Sequence, residues 1–207
     1  MLTVLGRNNS GNVQKLLWCL DELGVPYERE DVGGSFGRNR DPEYLALNPN
    51  GLVPVVLDGG RALWESNTIL RYLAASYDTA SLWEPDPGKR AAGEKWMDWQ
   101  LSVLSPGAMT PLYKQHVRVP PDRRDPALMA QSLNRATAAF RILDGALAGA
   151  PWLGGDRFTI ADIPCGVVTY RWMNLPVERP PLPALADWYG RLCERPAYRR
   201  QVMTGLA

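Results

Sequence analysis

Three short stretches carry residue types that could do chemistry. The first is Ser10-Gly11-Asn12, which separates a short apolar run from an amphipathic one. A helix N-terminus offers unpaired N–H groups and a positive partial charge. A hydroxyl placed there can donate to a thiolate or oxyanion, although Ser and Asn also serve simply as N-caps. No base stands beside Ser10 in the sequence, so chemistry there needs a ligand that brings its own nucleophile. The second stretch is Asn48-Pro49-Asn50-Gly51-Leu52-Val53-Pro54, a shaped turn before a strand. A cis Val53–Pro54 bond would let the Val53 N–H and C=O pair with an extended peptide. Only about 5–6% of X–Pro bonds are cis, and a trans proline at a strand start is the plain alternative. The third is Glu65-Ser66. Ser66 reads as the N-cap of the helix that follows, or as the residue that receives a ligand carboxylate while Glu65 takes its ammonium.

The remaining reactive residues are sparse. Cys19, Cys165 and Cys193 are odd in number and far apart, with no C-x-x-C. They suit neither a disulfide framework, a zinc site nor a dithiol redox pair, so no metal is expected and a reducing cytoplasm fits. Cys19 lies inside a helical pattern and reads as a small buried hydrophobe. His116 is the single histidine, so a Ser-His-Asp triad would depend on it alone. It and Arg7 could assist an anionic substrate, but both read as surface residues.

The elements that must position these residues are legible from periodicity. Leu2 to Gly6 is a strand; Val13, Leu16, Leu17, Leu20 and Leu23 form a helical stripe that Gly24 stops, with Pro26 beyond. Tyr27 to Val32 reads as a second strand, Gly33 to Gly37 as a loop and Pro42 to Leu47 as a short helix. Val53 to Leu57 and Arg61 to Trp64 make a hairpin across Asp58-Gly59-Gly60, and Ser66 precedes a third helix carrying Ile69, Leu70, Leu73 and Tyr77. The order is β-α-β-α-β-β-α, and two strands joined by a helix should be parallel. From about residue 80 the pattern is helical throughout. It predicts a helix from Lys89 to Val103 interrupted or kinked near Pro106 and Pro111, and others carrying Leu133 to Leu147, Ile160 to Tyr170, Pro183 to Glu194 and Ala197 to Met203. Thr159 and Asp162 have the form of a capping box. The expected division is 1–78 as an α/β domain, 79–87 as a Pro- and Gly-containing linker, and 88–207 as an all-helical domain.

Composition narrows the function classes. The 207 residues are 45% hydrophobic and 22% charged, ordinary for a globular protein. Lys and Arg number 23 against 22 Asp and Glu, a net charge of +1, which argues against nucleic acid or an anionic membrane as partner. No apolar run approaches a membrane span. The opening MLTVLGRNNSGNVQ lacks the basic and apolar regions of a signal peptide.

Taken together, the serine after the first strand, the N-P-x-G-x-V-P turn, the Glu-Ser that opens the third helix and the Thr159-Ile160-Ala161-Asp162 motif resemble the glutathione S-transferase family, in its bacterial, theta-like or nu-like serine type. The likeness extends over essentially the whole chain. It implies a thioredoxin-like N-terminal domain that binds glutathione and an all-α helical-bundle C-terminal domain that shapes the second-substrate pocket. By this resemblance Ser10 hydrogen-bonds the glutathione sulfur and Asn12 also reaches it. Val53 pairs its backbone with the cysteinyl unit, with Pro54 cis. Glu65 and Ser66 hold the γ-glutamyl group, and Asn39 contacts the glycyl carboxylate. Trp99 and Tyr113 are pocket candidates, among aromatic residues that suit a helical core equally well. One departure matters: many relatives carry Lys, Arg or Gln just before V-P, where this chain has Leu52.

The resemblance further implies glutathione as co-substrate with no permanently bound cofactor, a small hydrophobic electrophile as partner, a homodimer, and conjugation as the reaction. Glutathione-dependent disulfide or peroxide reduction is the alternative within catalysis, favoured by the Ser-x-Asn pattern. A non-enzymatic binding module is the alternative of another class, and it would be expected to lose Ser10 or Glu65-Ser66.

Overall fold

The computed structural model describes residues 1–78 and 81–206. It divides into two compact units: Met1–Trp83 with Ala197–Thr204, and Glu84–Pro196 with the residues from Gly205 onward. Thr79 and Ala80, which begin the expected linker, lie outside the described residues.

The first unit is built on a four-stranded sheet of β1 (Leu2–Leu5), β2 (Tyr27–Glu30), β3 (Val55–Asp58) and β4 (Arg61–Leu63), in the spatial order β2-β1-β3-β4. β1 runs parallel to β2, with Leu2 opposite Tyr27, and antiparallel to β3, with Val4 opposite Val56. The crossover from β1 to β2 is α1 (Gly11–Leu23), whose residues Val13 to Leu20 are all buried. Gly24, at φ 65°, closes α1 in a left-handed conformation that glycine adopts without a Cβ penalty. The Val25 N–H reaches Leu20 O at 3.0 Å and the Gly24 N–H reaches Asp21 O at 3.3 Å, the paired bonds of a Schellman ending.

A single 3₁₀ turn (Gly34–Phe36) occupies the loop after β2, followed by α2 (Pro42–Leu47) and, after the hairpin, α3 (Ser66–Tyr77). β3 starts two residues later than its apolar run suggests. Pro54 has no N–H to give a ladder, so Val53 and Pro54 remain outside the sheet.

In the second unit, α4 (Pro87–Trp99) starts on Asp86, whose side chain accepts from Lys89 N at 2.8 Å. The helix is not interrupted near Pro106. Helix continues through π turns over Gln100–Met109, a short α5 (Thr110–Tyr113) and π turns again over Lys114–Arg118. In an α-helix a proline removes one backbone bond and crowds the carbonyl four residues earlier. The wider i→i+5 turn accommodates Pro106 without a break.

Next come α6 (Pro126–Leu147), α7 (Asp162–Asn174), α8 (Pro183–Glu194) and α9 (Pro196–Gln201). Phe140 of α6 stacks on Trp172 of α7 at 4.6 Å. Asp162 is fully buried at the start of α7, where its carboxylate accepts from Leu153 N (2.8 Å), Thr159 N (3.1 Å) and Trp188 Nε1 (3.0 Å). The Thr159 hydroxyl serves Ala161 N at 3.3 Å, one residue earlier than a capping box would have it.

The C-terminal segment departs from the sequence expectation, which assigned 88–207 to one helical domain. Residues 197–204 cluster with the first unit. Tyr198 meets Trp18 of α1 edge-on at 4.6 Å, Gln201 Nε2 and Arg200 Nε each donate to Asp21 Oδ2 at 2.7 Å, and Gln14 Nε2 donates to Thr204 Oγ1 at 3.1 Å. A helix is expected over Ala197 to Met203 and α9 spans Pro196–Gln201, but the local pattern does not say which unit the segment joins.

Candidate functional site

The fold brings the loop after β1, the turn before β3 and the start of α3 onto the first unit. Ser10 precedes α1 with an extended backbone (φ −81°, ψ 123°), and its carbonyl accepts the first helical bond, from Gln14 N at 2.8 Å. Its side chain makes no capping hydrogen bond. The capping alternative for Ser10 therefore holds for the backbone only; the half-buried hydroxyl stands at a helix N-terminus without the usual capping task. Asn12 is exposed in the first turn of α1.

The Val53–Pro54 peptide bond is cis. Val53 is half-buried, with its side chain against the backbones of Gly6 and Gly33, the residues that follow β1 and β2. The turn before it is pinned from several sides. Tyr44 Oη and Asn48 Nδ2 both donate to Leu52 O, at 2.7 and 2.8 Å, while Asn48 Oδ1 accepts from Asn50 N at 3.1 Å. Burial pushes the Tyr44 hydroxyl up to about 12, which keeps it protonated as the donor to Leu52. Gly51 sits at φ 62°. A Cβ there would lie 2.7 Å from Arg40 Nη1 and 2.8 Å from Asn39 O, so glycine is needed for conformation and for room.

Asn39 lies against the turn. Its Nδ2 donates to Gly51 O at 2.7 Å, so the side chain clasps the turn. Leu52 is 61% exposed and offers no charge. The guanidinium beside the turn is that of Arg40, which sequence reasoning missed because an exposed arginine twelve residues upstream of Leu52 carries no motif signal.

Ser66 was expected as an N-cap but is the first residue of α3, with Glu65 in the capping position. Glu65 adopts φ 69°, ψ 105°, a conformation that costs a non-glycine residue about 1–3 kcal/mol and recurs at ligand-binding positions. Its carboxylate is exposed, whereas Ser66 and Asn67 are buried. Behind them lies a second residue that sequence reasoning missed. Lys15, in the middle of α1, is only 1% exposed, and its Nζ donates to Ser66 Oγ at 3.3 Å and to Asn67 Oδ1 at 3.1 Å. The available signal was its position within Val13 to Leu20, where apolar residues surround nearly the whole helix.

The two pocket candidates belong to the second unit. Trp99 is half-buried and meets Trp96 edge-on at 5.4 Å. Tyr113 is buried, with the Arg171 guanidinium 4.6 Å from its ring centre. Tyr113 thus has the surroundings of a packing residue.

All three cysteines are free. Cys19 is fully buried, and burial together with the charges of Glu22 and Asp78 pushes its thiol far up, so it cannot supply a thiolate. Among the described residues no three His, Cys, Asp or Glu side chains are grouped to hold a metal ion. No described helix is long and apolar enough to cross a membrane. The half-buried Cys193 should react first with a thiol-reactive disulfide, and Cys19 and Cys165 only on unfolding. Mass mapping of the modified native protein checks this, and rapid labelling of Cys19 would contradict it.

Residues 9–76 match the family described as glutathione S-transferase, N-terminal domain, and residues 126–191 match glutathione S-transferase, C-terminal domain. The chain is 45% identical over 205 residues to the glutathione S-transferase GstB of Escherichia coli, covering 98% of each. A theta class glutathione S-transferase from the citrus canker pathogen Xanthomonas axonopodis pv. citri, solved with glutathione bound, superposes with a TM-score of 0.96 at 49% identity, covering 100% of this chain and 99% of that one. A more distant relative is the disulfide-bond oxidoreductase YfcG of Escherichia coli, 29% identical over 90% of this chain and 87% of its own length. The chain belongs to the glutathione S-transferase family.

Proposed function

We propose that this chain binds glutathione on its first unit, holds it as the thiolate, and adds it to a small hydrophobic electrophile. The observation that carries this reading is Ser10. Its hydroxyl lies at the N-terminus of α1 and makes no capping hydrogen bond.

Elementary thiol chemistry sets the task. With a pKa of about 8.5, only about 3% of a free thiol is ionised at pH 7. Lowering that pKa by about 2 units takes roughly 2.7 kcal/mol of preference for the thiolate. A hydrogen bond to a charged acceptor supplies about 1.5–3 kcal/mol, and the leading N–H groups of α1 and the Asn12 amide add to it. Ser10 stays protonated and donates; the glutathione sulfur is the nucleophile. Its lone pair forms the new carbon–sulfur bond, and the leaving group departs with the electron pair of the bond it loses.

The tripeptide would lie across the site in three parts. The Val53 N–H and C=O pair with the cysteinyl unit next to the cis Pro54. Glu65 takes the γ-glutamyl ammonium, and Ser66 with the first turn of α3 takes its carboxylate. Arg40 supplies the positive charge for the glycyl carboxylate that Leu52 lacks, and Asn39 supports it by holding Gly51. Trp99 and Tyr113 are the second-substrate candidates of the second unit.

A second reading, reduction of disulfides or peroxides by glutathione, is favoured by the name of the 29% identical relative, a disulfide-bond oxidoreductase. The binding-module alternative is disfavoured by the presence of Ser10, Glu65 and Ser66. The three free cysteines suit a reducing compartment such as the cytoplasm, and a homodimer, readable by gel filtration, completes the proposal.

Calorimetry with glutathione followed by turnover of an activated aryl halide, a hydroperoxide and a mixed disulfide tests the function. Binding with preferred turnover of the aryl halide is the expected result. Preferred turnover of the mixed disulfide or hydroperoxide would replace conjugation by reduction, and no binding at millimolar glutathione would remove both.

A further inference from the structure

Lys15 is a long cationic side chain in the interior of α1, and burying an ammonium is costly unless something nearby uses it. Its Nζ lies 3.3 Å from Ser66 Oγ and 3.1 Å from Asn67 Oδ1, the first two residues of α3. All three residues are at most 3% exposed.

An ammonium can only donate, whereas a serine hydroxyl has one proton and two acceptor sites. The Lys15 bond therefore uses a lone pair of Ser66 Oγ and leaves the hydroxyl proton for another acceptor. The same ammonium turns the Asn67 amide so that its oxygen faces inward. Its charge also falls at the end of α3 where the helix dipole is already positive. Within the unliganded protein these two positive potentials oppose each other, and an anion docked at that end is attracted by both.

We infer that Lys15 is a positioning residue for the γ-glutamyl carboxylate, fixing Ser66 as a hydrogen-bond donor and adding positive charge beneath the first turn of α3. This rests on the reading that Ser66 receives that carboxylate. Lys15 does not touch the ligand and has no part in activating the sulfur. Its loss therefore affects recognition of one end of glutathione and leaves the thiol chemistry alone.

The experiment uses two ligands and two variants of the full chain. Glutathione is compared by calorimetry with γ-aminobutyryl-cysteinyl-glycine, which keeps the amino group and lacks the α-carboxylate. The wild type is expected to prefer glutathione by about tenfold or more, the strength of a hydrogen bond to a charged group. Lys15→Met should reduce that preference to less than about threefold by weakening glutathione alone, with the pKa of the bound thiol unchanged. Lys15→Gln keeps a donor for Ser66 and drops the charge. It should lose at least part of the preference, and it provides the same comparison if the methionine variant does not fold. A wild type that binds glutathione, with the preference intact in the folded variants, overturns the inference and leaves the reading of the site standing. A wild type that binds glutathione without preferring it over the analogue overturns the assignment of the carboxylate to Ser66. No binding of glutathione by the wild type overturns the whole reading.

Discussion

Ser10→Ala is expected to lower kcat/KM for the electrophile, at saturating glutathione and pH 7, by about 3- to 50-fold. The range follows from the about 1.5–3 kcal/mol of a hydrogen bond to a charged acceptor, which corresponds to about 1 to 2 pKa units on the bound thiol. The loss has a diagnostic pH dependence. With the donor gone, the thiol still ionises, but at higher pH, so the variant recovers as pH rises through its new pKa and the gap to wild type narrows. A serine that itself attacked the electrophile would leave a variant inactive at every pH. A serine that only started the helix would cost stability and leave the profile in place. Because Ser10 makes no capping bond through its side chain, the alanine variant should melt close to the wild type. Steady-state kinetics across pH, with a denaturation curve for each protein, separate the three cases.

The second large effect concerns stability. Asp162 receives three hydrogen bonds at the base of α7 from inside a fully buried site. Asp162→Ala would leave three buried donors unsatisfied, each costing about 1–3 kcal/mol before the surroundings relax. The expected loss is about 3–5 kcal/mol, comparable to breaking a buried charged network, against a total stability of about 5–15 kcal/mol. Asp162→Asn keeps one oxygen for two of the donors and should lose less.

Burial raises the Asp162 carboxyl from 3.8 to about 6, outweighing the three donors that favour its charged form. The folded protein therefore holds a proton on Asp162 at pH values where the unfolded chain has released it. The stability contributed by this group is greatest below about pH 4, falls as pH rises to about 6, and is flat above that. Denaturant midpoints for wild type and Asp162→Asn between pH 4 and 7 read this directly: the advantage of wild type over the amide should shrink with rising pH. An advantage that grows with pH would mean that the donors hold the carboxyl below its ordinary value.

How far the sequence carried these conclusions depends on the kind of force involved. α2 and α8 are bounded by local chemistry, a proline at the first position, and local chemistry is readable residue by residue. The residues proposed to face glutathione stand out in the sequence because three short motifs occur in one order, with a fourth in the helical half that fixes the family resemblance. The start of α3 was misplaced by one residue, since nothing in the letters Glu-Ser distinguishes a serine cap from a glutamate held at positive φ. The π turns through Pro106 were hidden for a related reason, because proline marks a disruption but not the way a helix absorbs it.

Long-range effects were the least legible. Lys15 reads as an ordinary polar residue on an amphipathic helix until α3 packs over it. Arg40 becomes a neighbour of Gly51 only through the fold of the intervening loop and helix. Residues 197–204 look like one more helix of the second unit until Tyr198 is seen against Trp18. In each case the sequence supplies a side chain of the right chemistry, and the partner lies 11 or more positions away.

The account stands or falls on the ionisation of the bound sulfur. The direct measurement is an ultraviolet titration of the thiolate of glutathione in complex with the wild-type protein. The prediction is a midpoint lowered to about 6.5–7, roughly 2 units below a free thiol, with the midpoint moved back up by about 1 to 2 units in Ser10→Ala. A bound thiol that titrates like free glutathione, or a lowered midpoint that Ser10→Ala leaves in place, would contradict the role assigned to Ser10.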